Sequence, residues 1–131
     1  MTETNEMTFD EVQFFSTDPH ALPLYAQLKE KLLDCLPDMR IEVRKTQISL
    51  KNRYLFAAVS FTPVRRKKDR PLHFLTVTLV LPSRLDSPRV DAACEPYPRR
   101  WTHHIMIGST VEIDGELLGW LREAAAFAAA K

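Results

Sequence analysis

Between Leu36 and Ile41 the apolar period of this chain changes from about 3.6 residues to 2, and that change fixes its class. Upstream, Leu22, Tyr25, Leu28, Leu32, Cys35 and Leu36 recur at three- and four-residue spacing and form one stripe. Lys29, Glu30, Lys31 and Asp34 fill the other side. Downstream, Ile41 and Val43 alternate with Glu42 and Arg44, then Ile48 and Leu50 with Gln47, Ser49 and Lys51. YLFAAVSF (54–61) and LHFLTVTLVL (72–81) follow as longer strands rich in β-branched and aromatic residues. THHIMIG (102–108) is a further strand. The period then reverts: Asp114 caps a last helix whose Ile113, Leu117, Leu121, Ala124, Ala125 and Ala128 share a face. Short connections between successive strands predict an α+β two-layer sandwich. Its largely antiparallel sheet of about five strands carries the N-terminal and C-terminal helices on one face.

The helix ends are written in local chemistry. Thr8 with Glu11 three residues on is a capping box, which predicts a short helix over 8–15. Its Phe9, Val12, Phe14 and Phe15 are too dense an apolar set for water, so the segment is expected to dock on the body. Asp18-Pro19 opens the second helix, with Pro23 delaying its regular part and Pro37 ending it. Residues 82–100 hold four prolines and no clear period, so they read as a long surface excursion.

At 131 residues the chain is one domain, with 1–6 as a loose tail, and 45% apolar content suits a packed core. A net charge of +1 supplies no global field to attract nucleic acid or an anionic membrane. Cys35 falls on an apolar face and Cys94 in a loop, without CxxC spacing. The polar start lacks the apolar stretch of a signal peptide, and no run approaches a membrane span. A reduced, cytoplasmic protein is the simplest expectation.

RRWTHHIMIG (99–108) sets two histidines side by side. On a strand, neighbours point to opposite faces, so Trp101, His103, Ile105 and Ile107 share one and Thr102, His104 and Met106 the other. The two rings therefore do not grip one metal, and His103 is the inward member. Its plain reading is a core histidine with satisfied nitrogens. Its sharper reading is a ligand contact or an acid–base group in a cleft under the long loop. No spacing among His20, His73, Cys35 and Cys94 strengthens a metal site.

RRKKDR (65–70) packs five cations into six residues, which suits a solvated hairpin tip that discourages edge pairing. Binding phosphate or nucleic acid is the alternative, but the run lacks interleaved aromatics for stacking single strands. Lys45, Arg84, Arg89, Arg99 and Arg100 form a second basic group. They are either independent surface charges or, if 82–100 folds back over the sheet, the wall of an anion pocket beside Trp101 and His103. With three glycines, neither a phosphate loop nor a dinucleotide fingerprint can be built, and no GxSxG or HExxH occurs. No catalytic residue, metal or cofactor is assigned.

KTQISL (45–50), the YLFAAV strand, LVLPSRLDSPRV (79–90), the YPRRWTHHI segment and the DGELLGWLREA helix occur in one order. In these motifs the chain resembles a bacterial domain-of-unknown-function family, number 5655. The resemblance implies no established reaction. Its matching polar positions are Lys45, Thr46, Arg84, Arg89 and His103. The chain is also distantly similar to frataxin-like α–β sandwiches, some of which handle iron through an acidic helix. The mixed charges of 19–36 depart from that pattern.

The expectation is a small binding or interaction module, with Lys45, Thr46, Arg84, Arg89, Trp101 and His103 receiving an anionic small molecule or protein segment. A nucleic-acid accessory domain using RRKKDR is the second reading, and an enzyme with His103 as acid or base the third. No membrane partner is expected. Strand 72–81 carries Leu75, Val77 and Leu79 on one face and Phe74 and Val80 on the other, so a second copy of the chain is the candidate cover for one of them.

Overall fold

The computed structural model describes residues 7–130, and the expected tail at 1–6 lies outside the described residues. Three α-helices, α1 (Phe9–Phe14), α2 (Leu22–Cys35) and α3 (Gly115–Ala129), accompany six strands. These are β1 (Arg40–Val43), β2 (Ile48–Lys51), β3 (Leu55–Ser60), β4 (Leu75–Leu81), β5 (Ala92–Tyr97) and β6 (Arg100–Ile107). The strands form one sheet in the order β1-β2-β3-β4-β6-β5, and every pair is antiparallel. The class is α+β, with six strands rather than about five. No helix among the described residues is long and apolar enough to cross a membrane.

Two of the three expected caps form, whereas Asp18, the cap residue expected before Pro19, makes no capping bond and turns its carboxylate to His73 instead. Thr8 accepts from the Glu11 amide while the Glu11 carboxylate takes the Thr8 amide, a complete capping box. Asp114 accepts from the Leu117 amide at the start of α3. A single 3-10 turn at Pro19–Ala21 leads into α2, in keeping with the delay Pro23 imposes.

Cross-strand register sorts the sheet into faces. Ile48, Val59, Val77 and Ile105 form one row, and Leu50, Ala57, Leu79 and His103 form the next. Apart from His103, these side chains join Tyr25, Leu28 and Leu32 of α2 and Leu117, Leu121 and Ala124 of α3 in a single core. At about 25 cal/mol per Å² of apolar surface, this burial is the main stabilising term. Asn52 donates to the Ala125 carbonyl at 2.8 Å and Lys31 to the Ile113 carbonyl at 3.2 Å, tying α3 to β2 and α2.

Three sequence expectations need correction. The excursion at 82–100 contains β5, an edge strand hairpinned to β6 through Pro98-Arg99. Its turn lacks the Asn-Gly or Asp-Gly signal: proline sits first and Arg99 takes φ 64°, the pattern of a type II turn with an unusual residue at its second position. Strand 72–81 starts only at Leu75, so Phe74 precedes it and its outer face carries Thr76, Thr78 and Val80. That weakens the apolar argument for a second copy. Finally, the 8–15 segment docks as expected, through Glu11, Phe14 and, just past the end of α1, Phe15, but its apolar set is not wholly buried: Phe9 stays 78% exposed and Val12 is exposed too.

Candidate functional site

The six candidate residues divide between opposite ends of the sheet. Lys45 and Thr46 form the tip of the β1–β2 hairpin, which closes with the Arg44 amide donating to the Gln47 carbonyl at 2.8 Å. Through the register this tip lies level with Phe61 and the Ile107 end of β6. Trp101 pairs with Leu81 at the other end. The single cleft expected from sequence is therefore not formed.

At the Trp101 end three of the six do meet. The Arg84 guanidinium lies 5.9 Å from the Trp101 ring centre, a cation–π contact. His103 is two residues further along the same face, fully buried, and its Nε2 accepts the Leu85 amide at 3.0 Å. An amide can only donate, so the neutral ring carries its hydrogen on Nδ1, which has no partner among the described residues. Burial pushes the ring's pKa down, with the Arg84 and His104 charges adding to that, against a pull upward from the Leu79 and Trp101 backbone. A histidine withdrawn from water, with one nitrogen filled by backbone, serves as a pin for the 82–91 loop. His104 points to the other face, where Nδ1 lies 2.9 Å from the Thr78 hydroxyl.

Arg89 leaves this group altogether. It reaches Asp114 at 2.9 Å and Glu116 at 3.0 Å, donates to the Glu112 carbonyl at 2.6 Å, and covers the Trp120 ring at 5.7 Å. Its bonds hold the Asp114 carboxyl below its ordinary range. In RRKKDR, Arg65 likewise turns inward, to Asp91 at 2.8 Å and the Met106 carbonyl at 3.1 Å. Arg66, Lys67 and Lys68 remain exposed.

The Lys45 end is different. A groove of about 690 Å³ separates α1 from the β1–β2 hairpin, a size typical of ligand pockets. Phe14 and Phe61 stack along it with ring centres 5.5 Å apart, and Val43 adds to the apolar lining. Asp10 and Gln13 come from the helix side, Lys45 and Thr46 from the hairpin side. Arg44 is held by Glu42 at 2.7 Å, whereas Lys45 has no ion pair among the described residues.

A second cavity, of about 290 Å³, continues along β1 and is lined by Thr8, Asp10, Glu11, Lys29, Ile41 and Val43. Beside it lies a buried charge cluster that the sequence did not reveal. Glu11 accepts from Lys29 at 2.9 Å, from the Thr8 amide at 2.8 Å and from the Tyr25 hydroxyl. Burial alone would raise the Glu11 pKa, but the Lys29, Tyr25 and Thr8 bonds prevail and hold it low. Burial and the Glu11 carboxylate together drive the Tyr25 pKa far up, so its hydroxyl keeps its proton. Lys29, assigned from sequence to the polar side of α2, is buried; Tyr25 and Lys29 at i and i+4 were the readable sign that one face receives both.

A family model matches residues 11–128. The chain belongs to the domain-of-unknown-function family DUF5655. The match to DUF5655 runs from Glu11 to within one residue of the end of α3, so it takes in the His103 pin and every groove residue named above except Asp10. No curated protein and no solved structure matches this DUF5655 domain, and the distant frataxin-like resemblance has no counterpart there. Among the described residues no group of three or more His, Cys, Asp or Glu side chains is arranged to hold a metal ion.

Proposed function

We propose that this domain is a binding module whose ligand lies between α1 and the β1–β2 hairpin. A negatively charged group meets Lys45, and an apolar part rests on Phe14 and Phe61. The observation that carries the reading is a free lysine overlooking a stacked aromatic pair in the groove of about 690 Å³. Lys45 and Thr46 keep the roles expected of them, whereas Arg84, Trp101 and His103 hold a loop and Arg89 holds α3. Asp10 on the opposite wall disfavours multiply charged anions, so a single carboxylate fits better than phosphate. The scaffold reads as two layers, with α2 and α3 over one sheet face. Free Cys35 and an exposed free Cys94 fit a reducing, cytoplasmic setting.

The test is an NMR titration of the full chain with benzoate and, separately, with inorganic phosphate. Benzoate is expected to give saturable shifts at Lys45, Thr46 and Phe61, with phosphate at least ten-fold weaker. Lys45→Glu should abolish the benzoate response. Equal binding by that variant, or shifts centred on Arg84 and Trp101, would overturn the reading.

A further inference from the structure

We infer that the groove takes an extended peptide, which adds to the sheet as a seventh strand alongside β1; this rests on the binding reading above. In an antiparallel pair, hydrogen-bonded and non-bonded residue pairs alternate. The Arg44–Gln47 bond closes the hairpin, so Glu42–Ser49 and Arg40–Lys51 are the bonded pairs. Ile41 and Val43 then aim their N–H and C=O groups away from β2. β1 is an edge strand, and among the described residues no hydrogen bond occupies those four groups.

The side chains of the same two residues line the gap between α1 and β1. Val43 and Asp10 border both cavities, so open space adjoins β1 on its α1 side from Ile41 to Thr46. Four residues of strand span about 13 Å at 3.3 Å per residue. An added strand therefore gains up to four backbone bonds from Ile41 and Val43. At the hairpin end it meets the stacked phenylalanines and then Lys45. The complementary segment is extended, with an apolar residue for Phe14 and Phe61 and an acidic residue close by for Lys45. Backbone bonds supply affinity and the two side-chain contacts supply selectivity.

The opposite edge of the sheet is closed to this mode. β5 carries Pro96, which has no N–H to offer, and its register with β6 breaks between Cys94 and Tyr97.

The experiment selects peptides from a random eight-residue display library against the full chain, then synthesises the best binder with backbone N-methyl groups at odd or at even positions. The expected winners alternate β-branched or aromatic residues with others and carry at least one Asp or Glu. One N-methyl series should lose at least ten-fold in affinity and the other little, because only alternate amides face an edge. The Ile41 and Val43 amides are expected to exchange freely in the unbound chain and to become protected on binding. If no peptide is enriched, or both series bind alike, strand addition is wrong. If both bind alike and Lys45→Glu still abolishes binding, the anion-accepting groove survives while the strand does not. If Lys45→Glu binds the selected peptides and benzoate as well as the parent does, the groove itself fails. Amides already protected in the free chain would mean that the chain or a second copy fills the edge, which also overturns the proposal.

Discussion

Arg89 and Lys45 looked alike in the sequence, two cations offered to one cleft, and the fold treats them oppositely. Arg89 is ringed by Asp114, Glu116 and the Glu112 carbonyl and lies over Trp120. Lys45 stands at a hairpin tip above an open groove, with no ion pair among the described residues. The same contrast appears across α1, where Glu11 is fully engaged on one flank and Asp10 faces the groove on the other. A cation that has found its carboxylates inside the molecule is holding elements together. A cation left beside a cavity with apolar lining is available to something else.

Stability measurements sharpen that contrast, and the buried charges give the largest effect. Glu11→Ala leaves Lys29 and Tyr25 without the carboxylate they share, and should cost about 3–5 kcal/mol in urea denaturation. A loss below about 1 kcal/mol would mean that α1 is only loosely docked. Acid titration is the next step down. The folded His103 and His104 pKa values are both lowered, first of all by burial, so the unfolded chain binds protons that the folded chain refuses. Stability must therefore fall as pH drops below about 6.5, by up to about 1.4 kcal/mol per pH unit for each ring. His103→Gln should reduce that slope by the share of one ring. A second loss follows at lower pH as Glu11, whose folded value is depressed, takes its proton.

Arg89→Ala should cost about 1 kcal/mol, because its carboxylate partners are half exposed and well screened. It should leave benzoate binding unchanged. Lys45→Ala should shift the urea midpoint by less than about 0.5 kcal/mol in stability while removing the benzoate response. If instead Lys45→Ala destabilises and Arg89→Ala abolishes binding, the distinction between the two cations is reversed.

Much of the fold was legible because it depends on neighbours in sequence. The Thr8–Glu11 box, the Asp114 cap, the α2 and α3 stripes and the inward turn of His103 all follow from spacing of one to four residues. β5 was not legible, because an irregular edge strand with Pro96 exists only through its partner β6. Nor was the groove: Phe14 and Phe61 are 47 positions apart in the numbering and stack only once α1 lies beside the β3 end.

Amino-acid order alone determined which segments coil or extend, where each helix starts, and that adjacent imidazoles part to opposite faces. Backbone geometry repeats over a few residues and needs no distant information. Tertiary packing alone decided which charges neutralise each other and which stay available. Coulombic pairing depends on distances of a few ångströms between groups far apart along the chain, and nothing in a linear string sets those distances.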